Sequence, residues 1–333
     1  MNDALLEWKS FGPALGRCWN GFFHSTVDRR VLRIVRIFYA GILLVNILTW
    51  FPYLELWFGE DGVLPLEVSR QVINADRWTI FSYLPTSTNV LYGCYFCFLT
   101  QAVLLLFGIL PRFQAVCAFI WLVSFQHRNL MICDGEDIVM RLVGFFVMLM
   151  PLHQIGAKCS PTTRATETTP TLSSEKQFDR VRSWALRLLQ IQMCLIYLDT
   201  AAAKFHGDAW LNGTALYYVS RLETWFRADA VPQFLFNTPW IVCLMTWSVI
   251  VVEFAVPVMV WFRGTRRWAL LLVAAFHLGC FWSMDLFLFH WIMLCGWCAF
   301  LTGDDVDLFH RWLRKKWSRI RSTFVRKSTS AEA

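Results

Sequence analysis

The feature that most constrains this chain is a series of long apolar runs, each nearly free of charge and each separated from the next by a short polar connection. Eight such runs stand at 37–54, 90–110, 113–127, 138–153, 188–204, 239–262, 268–284 and 286–303. About 20 apolar residues cross the hydrocarbon of a bilayer as a helix, and within lipid a helix satisfies its own backbone hydrogen bonds. The expected fold is therefore an all-α polytopic membrane protein of about eight transmembrane helices. Composition agrees: 56% of the 333 residues are hydrophobic and 17% charged, whereas a soluble domain carries about 25% charge. The last two runs are separated only by Asp285, so they form either two spans or a broken, re-entrant pair. The third and fourth are short and need Arg112, Arg128 and Arg141 to snorkel towards headgroups.

The placement of charge explains the net charge of +7. Assigning alternate connections to opposite sides puts 24 of the 31 Lys and Arg residues on one side and 6 on the other, with Arg141 left within a span. Basic residues collect in cytoplasmic connections. Both termini are therefore expected in the cytoplasm and the chain in the cytoplasmic (inner) membrane. Three regions follow: a cytoplasmic amphipathic segment at 1–30, the membrane domain at 31–303, and a basic cytoplasmic tail at 304–333. The tail reads as an anchor for anionic lipid, and nucleic acid is not an expected partner. A linker rich in Thr, Ser and Pro lies at 156–179. The 11 Cys residues fall mostly within apolar runs, and the pairs Cys94/Cys97 and Cys295/Cys298 read as small residues on helix faces. No metal site is expected.

Ionisable groups at membrane depth are costly and mark candidate functional positions. They are Arg141, Asp199, Lys204, Glu253, His277 and Asp285. Tyr197, Thr200 and Lys204 share a helix face at i, i+3, i+7, next to Ala201, Ala202 and Ala203, which admit a close neighbour. A desolvated Lys204 is a candidate base. The plainer alternative is a snorkelling Lys204 paired with Asp208 four residues on. Asp199 lies off that face, and its partner must come from another helix, Arg141 among the candidates. His277 is either a hydrogen-bonded packing residue or a catalytic group. Glu253, four residues before Pro257, either lines a kinked polar cavity or forms an ion pair. The stretch Asp134 to Asp137 reads as a solvated helix cap.

Taken in order, these residues resemble the HTTM domain, the membrane domain related to vitamin K-dependent gamma-carboxylase. The resemblance rests on Tyr197-x6-Lys204…Trp210-x-x-Gly213 followed by Tyr217 and Tyr218. Arg33, Arg36 and Gly41 at the first span, Gly59 through Leu64, Arg128-Asn129, Gly135, Glu253 with Pro257, and Phe276-His277 support it. It covers roughly residues 28–303. Where the carboxylase has Asn-Asn-His and paired lysines, this chain reads Arg128-Asn129-Leu130 and Ala203-Lys204.

The resemblance implies a quinol-using membrane enzyme, a carboxylase-like lyase in which Lys204 deprotonates a reduced quinone of the vitamin K hydroquinone type. Oxygen and carbon dioxide are consumed, and a lipidic quinone enters from the bilayer. Tyr197, Asp199, His277 and Asn129 are then candidate catalytic partners, and Trp210, Gly213 and Glu253 candidate cofactor contacts. The competing reading is a non-catalytic transporter-like, lipid-binding or scaffolding protein whose buried charges are structural.

Overall fold

In the computed structural model, residues 16–72, 77–152 and 180–329 are described. The linker at 156–179 and the first half of the amphipathic N-terminal segment lie outside them. Eight helices coincide with the eight apolar runs: α1 Arg29–Trp50, α2 Thr88–Phe107, α3 Pro111–Arg128, α4 Gly135–Leu149, α5 Trp184–Lys204, α6 Pro239–Met259, α7 Arg266–Ser283 and α8 Phe289–Trp297. α9, Gly303–Thr329, carries the basic tail. Among the described residues, three stretches are long and apolar enough to cross a membrane on length and composition: Arg29–Phe58, Thr88–Phe107 and Pro239–Met259.

Local signals start and stop these helices. The Asp28 side chain accepts from the Arg30 N–H at the start of α1, and Ser87 and Ser183 accept in the same way for α2 and α5, so each cap satisfies a donor that the first turn leaves open. Pro111 and Pro239 occupy the first turns of α3 and α6, where the missing N–H costs nothing. α2 ends at Gly108, in a left-handed conformation at φ 78°. Gly108 also makes room for Arg36: the guanidinium of this buried residue lies against it and donates to the carbonyls of Leu105 and Leu106. A cation thus sits on the negative end of the α2 dipole.

α6 shows which solvent the bundle faces. Its outward stripe is Trp240, Leu244, Trp247, Val251, Phe254 and Val258, all exposed, whereas its inward face carries Thr246 and Glu253. A water-facing helix has the opposite arrangement. Inside, α1 packs against α2, α4 and α8, burying Leu32, Val35, Leu43 and Ile47 completely or nearly so. Trp50, Phe58, Phe98 and Phe125 form an aromatic cluster at one end, with ring centroids 5.1–6.3 Å apart.

Two features were absent from the sequence reading. Thr26–Asp28 and Arg180–Arg182 pair as a two-stranded antiparallel ribbon, with Val27 opposite Val181. Arg128 does not snorkel. It is 2% exposed and donates to the carbonyls of Leu64 (2.6 Å), Phe58 (3.0 Å) and Gly59 (3.2 Å). The cap at Asp134 forms as expected, with Asp137 accepting from the Asp134 N–H, but within 134–137 only Asp134 and Gly135 are exposed. Glu136 and Asp137 are buried, and Glu136 accepts from the Leu288 N–H at 2.8 Å, fastening the start of α8 to α4.

The tail is tied to the bundle by Asp305, which accepts from the Thr302 hydroxyl and N–H and pairs with Arg267 at 2.8 Å. Burial alone raises its carboxyl, but these donors outweigh that and hold it below the ordinary range. A depressed folded value means the contribution is present above the unfolded value near 4 and is lost as pH falls through the folded one. Acidification from pH 6 to about 3 should therefore loosen α9, read as a gain in quencher access to Trp312. An unchanged quenching curve in an otherwise folded protein would show that Asp305 does not hold the helix.

Candidate functional site

α5 ends at Lys204, and its last turn brings Tyr197, Thr200 and Lys204 towards α6 and α7. The Lys204 ammonium donates to both carboxylate oxygens of Glu253, at 2.7 and 2.8 Å, and to the Thr200 carbonyl at 3.5 Å. It also lies 5.0 Å from the centroid of the Trp210 ring, a distance at which a cation is attracted to an aromatic face. The side chains of Lys204 and Glu253 are 16% and 9% exposed. This corrects the Lys204–Asp208 alternative. The α5 geometry stops at Lys204 and a separate short helix begins at Asp208, so the four-residue spacing no longer places the two side chains together.

A second polar group lies deeper. The Tyr197 hydroxyl is 2.8 Å from His277 Nε2, and His277 Nδ1 is 3.3 Å from His290 Nδ1. All three residues are 2% exposed. His290 Nε2 is buried without a hydrogen-bond partner among the described residues. Cys280, one turn beyond His277, feels the charges of both Glu253 and Lys204, and Tyr197 that of Glu253. Four helices, α5 to α8, therefore contribute to one polar core made of an ion pair and a Tyr–His–His chain. His290 was not singled out from the sequence. Its signal is position: it follows the Asp285 reversal closely, as His277 precedes it, so a helical hairpin can bring the two together.

The connection after Lys204 covers this region. Gly213 takes φ 74°, and a Cβ there would stand 2.6 Å from Cys243 Sγ, so the glycine lets the loop lie directly on α6. Leu216 N–H donates to the Thr246 hydroxyl. Farther on, Phe226 bridges to Met284 and Arg227 pairs with Asp285 at 2.8 Å, holding the loop across the turn between α7 and α8. Phe205, Tyr217 and Tyr218, on the same connection, remain exposed.

Two sequence candidates fall outside this core. Asp199 is exposed and makes no ion pair among the described residues, because five residues from Lys204 place it on another face of α5. Asn129 is fully buried, but it donates to the Trp57 carbonyl and caps Met131. Its amide is used up in holding the first loop. Trp210 and Glu253 lie at the lysine, as ring contact and ion partner, whereas Gly213 lies against Cys243 and supports the loop.

An apolar-faced helical bundle with charges paired inside it is a helical membrane protein. The HTTM domain model matches residues 24–304, and the chain belongs to the HTTM family. Among curated proteins it is similar to the uncharacterized protein YitO of Bacillus subtilis, 26% identical over 179 residues, which are 52% of this chain and 54% of YitO. The match thus spans about half the length of that relative. No solved structure matches this chain.

Proposed function

We propose that this protein is a quinol-using membrane enzyme of the carboxylase-like kind, with Lys204 as its base. The observation that carries the reading is the Lys204–Glu253 pair, partly buried, joined at 2.7 Å and roofed by Trp210. Passing one proton to Glu253 leaves Lys204 as a neutral amine, able to take a proton from an acidic hydroxyl. The ring of Trp210 beside that amine fits a flat aromatic diol arriving from lipid. A bound reduced quinone would supply that hydroxyl and, with oxygen, the oxidising power to generate a stronger base, carbon dioxide being the second gas in a carboxylation. Tyr197, His277 and His290 form a chain along which a proton can shift, away from the lipid-facing side.

The topology belongs to the same proposal: eight spans, 31–303 as the membrane domain, both termini in the cytoplasm, in the cytoplasmic membrane. Its support is the agreement of eight helices with eight apolar runs. In addition, the start of α1, the start of α5, the α6–α7 turn and the start of α9 all lie around one basic cavity.

The test is oxygen uptake by the chain in lipid nanodiscs with a reduced naphthoquinone, followed by labelled bicarbonate and a peptide library. Uptake that falls on the order of 100-fold in Lys204→Ala, the scale of a lost general base, supports the reading. No uptake by the folded wild type with benzo- or naphthoquinols overturns it. A second reading has its own observation: the ion pair is satisfied by the protein alone, as a purely structural pair would be. That reading expects no activity and only a stability change.

A further inference from the structure

A cavity of about 1050 Å³ opens at the basic end of the bundle, lined by residues none of which belongs to the lysine site. Its lining includes Arg30, Arg180, Arg187, Arg263, Arg266 and Arg267. The carboxylates around it are Asp28, Asp304, Asp305 and Asp307. Three of these are committed: Asp28 and Asp307 to Arg30, at 2.8 and 2.5 Å, and Asp305 to Arg267. Asp304 is exposed.

Arg180, Arg187, Arg263 and Arg266 therefore face this space without a carboxylate partner among the described residues. Arg187 is the most telling. It donates only to neutral oxygens, Gln190 Oε1 at 3.0 Å and Ser25 Oγ at 2.9 Å. Its Nε is buried with no hydrogen-bond partner among the described residues, and it feels the positive charges of Arg266 and Arg180. Gathering like charges with an unfilled donor is unfavourable unless an anion completes the arrangement. The first turn of α7, which lines the same space, holds no acidic residue, and open N–H groups at a helix start favour an anion. Trp268 and Leu271, both more than half exposed, continue the rim as apolar surface.

We infer that this cavity binds a phosphate ester, with Arg187 and Arg266 as the principal donors and an anionic phospholipid as the source favoured by the apolar rim. A soluble phosphate ester shares the chemistry, and the two sources separate experimentally.

The full chain, purified in a neutral detergent, is titrated with phosphatidylglycerol, phosphatidylcholine and glycerol phosphate while thermal unfolding is followed, with native mass spectrometry counting retained lipid. Saturable stabilisation by phosphatidylglycerol but not phosphatidylcholine supports a lipid headgroup. Equal stabilisation by glycerol phosphate supports a soluble ester. In either case Arg266→Gln should raise the half-saturating concentration roughly tenfold, the scale of one lost charge-assisted bond. Arg263→Gln, on an exposed turn, should weaken binding too, and it stands in if Arg187→Gln does not fold. Arg314→Gln/Lys315→Gln, in the tail expected to anchor anionic lipid, should weaken the phosphatidylglycerol titration less than Arg266→Gln does. The inference is overturned if no probe stabilises the wild type, or if the tail variant loses as much binding as Arg266→Gln.

Discussion

Lys204→Met should lower the unfolding free energy by roughly 3 kcal/mol, because it leaves the Glu253 carboxylate among α5, α6 and α7 without its cation. Glu253→Leu should cost less, since Lys204 is at the helix end and can turn its ammonium outward. The double variant Lys204→Met/Glu253→Leu should return to within about 1 kcal/mol of wild type, because a buried pair replaced by apolar groups of similar volume loses its desolvation penalty together with its attraction. The coupling from the cycle is the quantity of interest. Losses that simply add would show that the two side chains do not act as a pair.

The same three variants separate stability from chemistry. A single lysine substitution removes the base and strands a charge at once, so loss of activity in it has two explanations. In the double variant the fold is restored and the base is still missing. Quinol-dependent oxygen uptake should therefore be absent in a protein that melts like the wild type. Uptake that returns along with the stability would remove Lys204 from the chemistry.

The second large effect is expected at Arg128. Its guanidinium satisfies three carbonyls of the first loop at full burial, and an unsatisfied buried carbonyl costs on the order of 1–3 kcal/mol. Arg128→Met should lose about 3 kcal/mol or more and open the loop at 54–72 to protease before the bundle itself melts. Arg128→Lys should recover only part of this, because one ammonium cannot reach carbonyls spread from Phe58 to Leu64 as a planar fork does. A melting curve within experimental error of the wild type for Arg128→Met would show that water or other groups satisfy those carbonyls.

How far the sequence is legible depends on the range of the interaction. Helices were readable because apolarity repeats within each one. Their ends were less so: α1 begins at Arg29, eight residues before its apolar run, because the Asp28 cap and the Arg36–carbonyl contacts stabilise a charged first two turns. The polar residues of the core were readable as residues, since charge at membrane depth stands out.

Their partners were not readable. Lys204 pairs with a residue 49 positions away and His277 with one 13 away, and no local periodicity encodes either. Arg128 misled for a related reason: position near a span end argues for headgroups, and only the returning loop turns it inward. The ribbon of Thr26–Asp28 with Arg180–Arg182 was invisible, its strands being three residues long and more than 150 apart.

That ribbon has a consequence for the order of events at the ribosome. Its two strands enclose α1 to α4, so the first strand must wait while four helices are synthesised and placed before its partner is made. At about 5–20 residues per second the wait is on the order of ten to thirty seconds. During that interval Val27 has no cross-strand neighbour, and the arginines that later ring the cavity are only partly assembled. Closure of the ribbon is therefore a late, long-range step, one that registers the arrival of α5 and can occur only after the first half of the bundle is in place.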